Sequence, residues 1–250
     1  MMSSFEPAYI RTFEQGLLKE KIAKAYSSLK SCVLCPRKCG VDRLCGETGT
    51  CKTAKRAWVS SYNPHFGEEE PLVGTHGSGT IFFTHCNLLC IFCQNFDISH
   101  QSNGREISED ELAGLMLALQ NQGCHNINFV TPSHVVPQIL SAVEIAVQRG
   151  LSIPLVFNTG GYDRIATLKL MDGVIDIYMP DFKFWDSDVA EMTCQAPDYP
   201  KVAQKAIIEM YRQVGDLQVD DAGIARRGLL IRHLVLPDGL AGTREIMRFI

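Results

Sequence analysis

The stretch "FFTHCNLLCIFCQN", Phe82–Asn95, decides how the rest of this chain is read. Cys86, Cys90 and Cys93 stand four and three residues apart, directly after the apolar run "GTIFFTH" (79–85). Four thiolates close an iron–sulfur or zinc site, whereas three leave one position open. C-x3-C-x2-C thiolates suit a cubane [4Fe–4S] cluster with one iron free for the amine and carboxylate of an outside ligand. Phe92, just before the last cysteine, offers apolar cover that would shield the cluster. A zinc site or chance cysteines are the plainer readings of the spacing. Because "GTIFFTH" reads as a buried strand, the loop belongs at a strand's C-terminal end.

Downstream, strands and helices alternate. "ISEDELAGLMLALQNQG" reads as a helix with Ser108 as N-cap, Glu111 completing a capping box and Gly123 as C-cap. "NINFV" (126–130) is a second strand, followed by a helix through "QILSAVEIAVQRG" that stops at Gly150. "IPLVFN" (153–158) is a third strand, "YDRIATLKLM" (162–171) a short helix, and "VIDIYMPDF" (174–182) a fourth strand. A helix over 199–214, a fifth strand "GLLIRHLVLP" (228–237) and a helix from near Thr243 complete the pattern. Such alternation predicts an α/β fold, a partial (βα) barrel, with a doubly wound open sheet as the competing architecture. In either, chemistry gathers at the C-terminal strand ends. There this chain places the cysteine loop, "TPSH", "NTGGY", "PDFK" and "LPDG".

Upstream, residues 8 to about 30 read as one amphipathic helix, with Leu17, Leu18, Ile22, Ala25, Tyr26 and Leu29 at helical spacing. Residues 31–53 form a Cys-rich knuckle and 54–77 an extended connection. The expected division is therefore 1–77 for the N-terminal helix, knuckle and connector, and 78–250 for the barrel. The chain ends at "REIMRFI", inside its last expected helix, which reads either as a helix short by design or as a barrel incomplete at its C-terminus.

The 250 residues are 46% hydrophobic and 21% charged, enough for a large core and unlike a disordered chain. A net charge of −4 argues against a nucleic-acid surface. No apolar run approaches the ~20 residues of a membrane span. The N-terminus lacks a signal-peptide layout, so a cytoplasmic location is expected. Eight of the ten cysteines fall between residues 32 and 93, and this clustering favours metal over disulfides. Cys124 and Cys194 stand alone and read as buried apolar residues.

The three-cysteine loop, with Phe92 before its last cysteine, resembles the signature of radical S-adenosylmethionine (SAM) enzymes. "NTGGY", "DIYMPDFK" and "IRHLVLP" are similar to segments of pyruvate formate-lyase activating enzymes. "CPRKCGVDR", "SGTIFF", "HNINFVTPSH" and "IRHLVLP" together resemble the PflX-type branch over about residues 30–250. The resemblance implies a [4Fe–4S] cluster on Cys86, Cys90 and Cys93, SAM as cofactor, and reductive cleavage to a 5′-deoxyadenosyl radical that abstracts hydrogen. It also implies a glycyl-radical protein as target and a reducing protein such as flavodoxin or ferredoxin. Radical chemistry on another protein, a peptide or a small molecule is the second expectation. A non-catalytic Fe–S or zinc protein is the third.

Carried over residue by residue, Thr131 and Ser133 stand where the family often has "GGE", whose backbone takes the SAM amino group. Asn158 and Thr159 stand at an Asp-Thr pair beside SAM, and Asp181 at a second Asp. Losing the first carboxylate weakens a cation site there. Asp181 and Lys183 share one face of an extended strand and are candidates for the SAM carboxylate region; a plain salt bridge is the alternative. Cys32, Cys35, Cys39 and Cys51 resemble the knuckle set of the PflX-type branch, to hold a second Fe–S cluster or zinc, with Cys45 outside it. His233 reads as a core histidine, and His85 as a neighbour of the cluster. The glutamates of "HFGEEEPLVGTHGSG" (65–79) read as a solvated loop or a cover over the barrel mouth.

Overall fold

The computed structural model describes residues 5–250. The chain begins with two helices, α1 (Ala8–Glu14) and α2 (Leu17–Ser27), instead of the single helix expected. Gly16 divides them with φ +72°, a left-handed turn that breaks the hydrogen-bond ladder. The knuckle follows, and then β1 (Ala57–His65), a nine-residue strand inside the stretch expected to be a connector.

Next come α3 (Glu70–Val73), β2 (Ser78–Phe83), α4 (Phe96–Ser99), β3 (Arg105–Ile107), α5 (Glu109–Asn121), β4 (Ile127–Val130), α6 (Val136–Gln148), β5 (Leu155–Thr159) and α7 (Ile165–Met171). After them lie β6 (Ile177–Pro180), α8 (Ser187–Cys194), α9 (Tyr199–Val214), β7 (Gln218–Val219), β8 (Ala225–Leu229) and α10 (Thr243–Phe249). The α5 capping box is present: Ser108 Oγ accepts from the Glu111 N–H, and the Glu111 carboxylate accepts from the Ser108 N–H.

The strands form one open sheet in the order β3-β1-β2-β4-β5-β6-β8-β7. Its centre, β2-β4-β5-β6-β8, is parallel throughout and corresponds to the five expected strands. The fifth is regular only over Ala225–Leu229; farther on, a single bridge pairs Arg232 with Asp181. Antiparallel β3, β1 and β7 cover the edges. The result is a partial (βα) barrel.

Strand alternation separates two faces. Ile81, Phe83, Ile127, Phe129, Leu155, Phe157 and Tyr178 pack under the helices in the main core, which also takes in Tyr9, Leu18 and Leu29. Their neighbours Val156, Ile177 and Met179 face the concave side, where Leu72 of α3 packs against them. Asn158 shares register with Met179, and Asp181 lies two residues beyond it, so both look into the concave side at its C-terminal end.

Candidate cluster and cofactor site

The cysteine loop leaves β2 through two strained positions. His85 has φ +74° and Leu89 has φ +57°, left-handed values that non-glycine residues seldom adopt. His85 is held by Thr53 Oγ1 at 3.2 Å and Ser102 Oγ at 3.0 Å, against the Trp58 ring. The turn brings Cys86, Cys90 and Cys93 into one neighbourhood. Burial pushes the Cys86 thiol up to about 11, and Cys90 and Cys93 push it the same way. Cys86 Sγ accepts from the Leu88 N–H at 3.3 Å, and Cys93 Sγ from Ser99 Oγ at 3.3 Å. Phe92 packs edge-on against Phe184.

Among the described residues no three His, Cys, Asp or Glu side chains converge closely enough to share one metal ion. That holds for the loop and for the knuckle alike, and at either a tetrahedral zinc would have to draw its sulfurs to about 2.3 Å from a single point. A cubane spreads its thiolates around a much larger body. Three soft thiols, two already accepting N–H or O–H bonds, on a loop at the rim of the sheet fit such a cluster.

Cys194 is buried as expected but is not isolated. Its Sγ lies 3.2 Å from Cys90 Sγ at the end of α8. That contact, with burial, raises the Cys90 thiol far above its ordinary value.

Beside the loop, the sequence-derived candidates fall into two groups. Asn158 Oδ1 accepts from Arg232 Nη2 at 2.6 Å, and Asp181 accepts from Arg232 Nε at 2.9 Å and Lys183 Nζ at 2.7 Å. Burial pushes the Asp181 carboxyl up, but Lys183 and Arg232 outweigh it and hold the group below its usual value. Burial pulls Lys183 down, while Asp181 and the nearby Cys90 raise it further, so it stays charged. Lys183 thus sits between the carboxylate network and the cysteine loop.

Thr159 and Ser133 point elsewhere, because alternation turns Thr159 to the helix side of the sheet. Ser133 Oγ meets Thr159 Oγ1 at 3.0 Å, and Thr159 Oγ1 donates to Asp163 at 2.6 Å. Both hydroxyls therefore belong to a buried relay ending on Asp163. Thr131 takes a left-handed backbone, φ +60° and ψ +51°, and its N–H donates to the Asn158 carbonyl. His134 anchors the same turn: its Nε2–H donates to the Thr84 carbonyl at 3.0 Å, and burial pulls its pKa down to about 3.

Tyr199, at the start of α9, closes the rim. Its hydroxyl accepts from the Lys183 N–H at 2.9 Å and lies 3.0 Å and 2.9 Å from the Gly160 and Asp181 carbonyls. Gly161, φ +78°, approaches Asp181 so closely that a Cβ would lie 2.3 Å from its carbonyl oxygen. The chain therefore needs glycine here.

The sequence matches the model of the Radical SAM superfamily over residues 80–219. The chain belongs to this superfamily. It is also similar to an uncharacterized protein of Methanocaldococcus jannaschii, 31% identical over 243 residues, covering 94% of this chain and 66% of that protein. The chain therefore spans 66% of that relative's length.

As a radical SAM protein, the chain is of an enzyme type that carries a [4Fe–4S] cluster and SAM. Three residues that matter here were not among the sequence candidates, although Arg37 and Arg232 lie inside the segments "CPRKCGVDR" and "IRHLVLP". Arg232 joins Asn158 and Asp181 to Glu68 at 3.5 Å and Glu69 at 3.7 Å. Asp163 ends the hydroxyl relay. Arg37, in the knuckle, reaches the cluster loop. Arg232 carried a faint signal, a cation at the end of an apolar strand, and Arg37 lay in a quoted motif between two cysteines; Asp163 carried none. The glutamate run is not simply solvated, since Glu68 is 8% exposed. His233 is half-buried, outside the core where it was expected, and hydrogen-bonds the Phe182 carbonyl and Thr243 Oγ1.

In the knuckle, burial pushes the Cys35 thiol up to about 12, and Cys51, Cys32 and Cys39 add to the rise. Cys45 stands apart and exposed, with its backbone N–H donating to Asp42 Oδ1 at 3.3 Å. Buried Arg43 lies 3.9 Å from Cys32 Sγ, donates to the Ala54 and His134 carbonyls, and leaves Nη2 unpartnered. No carboxylate pairs with it among the described residues. A buried cation wants a counter-charge, which metal-bound thiolates at Cys32 and Cys51 would supply.

Proposed function

We propose that this protein cleaves SAM reductively at a [4Fe–4S] cluster held by Cys86, Cys90 and Cys93, and directs the resulting radical to hydrogen abstraction. The observation that carries it is the three-thiol loop at the C-terminal end of β2, beside the Asn158–Asp181–Lys183–Arg232 network. Bound there, the cluster supplies one electron and an open iron. The chain's own residues do the rest. The Leu88 N–H and Ser99 hydroxyl hold sulfurs by hydrogen bonds, and Phe92 and Phe184 keep water from that side. Lys183 and Arg232 offer cations to a carboxylate, and Asn158 and Asp181 offer acceptors to an amine or ribose.

Thr131 and Ser133 contribute backbone at the β4 end, since Ser133 and Thr159 have hydroxyls already engaged. Cys32, Cys35, Cys39 and Cys51 hold a second metal centre, zinc or Fe–S. The motifs "NTGGY" and "DIYMPDFK" favour a glycyl-radical protein as target, of the PflX-type activase kind, with a flavodoxin- or ferredoxin-like electron donor. The knuckle and the Glu68–Glu69 strap on Arg232 favour a second reading, in which another protein, peptide or small molecule enters the concave face.

The test is anaerobic reconstitution, reduction and addition of SAM, with 5′-deoxyadenosine as readout. Wild-type turnover that disappears in Cys86→Ala is expected. Cys86 is the cleaner site to change, because Cys194 lies within ligand-exchange reach of Cys90. Reduced protein with a full cluster and no 5′-deoxyadenosine refutes the proposal.

A further inference from the structure

Arg37 belongs to the knuckle, between Cys35 and Cys39, yet its guanidinium leaves that module entirely. Nε donates to the Asn87 carbonyl at 2.9 Å, and Nη2 donates to the Cys194 carbonyl at 2.7 Å and the Leu88 carbonyl at 3.3 Å. Nη1 donates to the Gln195 carbonyl. The guanidinium carbon lies 5.3 Å from the centre of the Tyr162 ring, whose residue also accepts, through its carbonyl, from Asn87 Nδ2 at 2.8 Å.

Asn87 and Leu88 are two of the three residues between Cys86 and Cys90. Cys194 and Gln195 end α8, where helix carbonyls lack partners of their own. One planar fork therefore grips both the cysteine loop and the segment that sets Cys194 against Cys90. A loop with left-handed residues at His85 and Leu89 keeps its shape only under outside restraint. A lysine point charge could not supply four directed N–H bonds. The backbone around Arg37 is in turn tied into the knuckle: the Lys38 N–H donates to the Cys35 carbonyl at 3.2 Å, and the Gly40 N–H to the Cys32 carbonyl at 3.0 Å.

We propose that the metal state of the knuckle is transmitted through Arg37 to the Cys86–Cys90 loop, and that Arg37 is a positioning residue for SAM cleavage. The inference rests on the proposed readings of Cys86, Cys90 and Cys93 as cluster ligands and of Cys32, Cys35, Cys39 and Cys51 as a second metal centre. A metal-filled knuckle fixes the start of the Arg37 side chain, and Arg37 fixes the loop. An empty knuckle lets the fork withdraw and the loop relax.

The test uses anaerobically reconstituted full-length wild type, Arg37→Gln, Arg37→Lys, Cys35→Ser and the Arg37→Gln/Cys35→Ser double variant. Two readouts are taken: loss of the loop cluster to an iron chelator, and the electron paramagnetic resonance spectrum of the reduced cluster with and without SAM. Arg37→Gln and Cys35→Ser should each speed cluster loss by about tenfold, the scale of one charge-assisted hydrogen bond, and blunt the SAM-induced spectral change. Arg37→Lys should fall between. The double variant should be no worse than Cys35→Ser, because both act along one path. Hydrogen exchange of residues 86–90 reads the same coupling without touching Arg37, and should be faster in Cys35→Ser than in wild type. Unchanged exchange, wild-type lability in Arg37→Gln, or additive losses in the double variant overturn the inference. A wild type that shows no cubane signal refutes the cluster reading instead.

Discussion

Replacing Arg232 with Gln removes the one cation shared by Asp181, Glu68 and Glu69. Glu68 then keeps a largely buried carboxylate without its partner. Breaking a buried pair costs about 3–5 kcal/mol. Arg232 itself is 32% exposed, so about 2–3 kcal/mol is the reasoned loss at neutral pH. For a domain of this size that lowers the melting temperature by about 4–12 °C.

The pH dependence gives a sharper test. Burial already raises Glu68 above its ordinary value despite Arg232, and without the guanidinium it rises further. A carboxyl raised in the fold contributes stability at low pH and loses it as pH climbs through its folded pKa. Asp181, held down by Lys183 and Arg232 against its burial, loses part of the stabilisation it supplies above its unfolded pKa. The Glu68 effect makes the Arg232→Gln penalty larger at pH 7 than at pH 5, whereas the Asp181 loss is the same at both, since both lie above its ordinary value. Anaerobic thermal melts of wild type, Arg232→Gln, Glu68→Gln and the double variant at both pH values measure it. A coupling of about 1 kcal/mol or more is expected for residues in contact. A penalty independent of pH, or strictly additive singles, refutes the assignment of Arg232 as the shared counter-ion.

Two further outcomes are expected. Cys45→Ser should leave the metal content of the knuckle at the wild-type value, whereas Cys35→Ser should lower it; elemental analysis of the purified variants decides. Burial pushes the Asp163 carboxyl up to about 6, against the pull of Thr159 and Ser133. Its stabilising share is therefore fully present at low pH and declines as pH rises through about 6. Wild type should lose about 1 kcal/mol from this group between pH 5 and 7, and denaturant titrations should show that loss missing from Asp163→Asn.

Much of the fold could be read in one dimension. Four of the five parallel strands lie at or near their expected places, because buried strands bounded by glycine and turn residues leave a local apolar pattern; the fifth, expected over 228–237, is regular only over Ala225–Leu229. The α5 cap at Ser108 and Glu111 was equally visible, since a capping box spans only four residues. The edges were harder. Alternation in β1 is blurred by a register shift between Val59 and Ser61, and β3 is three residues long. The N-terminal helix read as continuous because its apolar spacing runs across Gly16, where backbone conformation and not hydrophobicity makes the break.

The sequence alone determined the chemistry on offer: three thiols after a parallel strand, a second cysteine set upstream, and polar residues at the strand ends. Those depend on residue type and short spacing. Only the tertiary structure decided which groups meet. Arg37 reaches Cys194 across 157 residues, Arg232 reaches Asn158 across 74, and Cys194 lies beside Cys90 across 104. It also turned Thr159 to the helix side and Asn158 to the concave side of one strand. Such pairings follow from sheet order and from the way helices return over it, and no local pattern encodes a contact between distant segments.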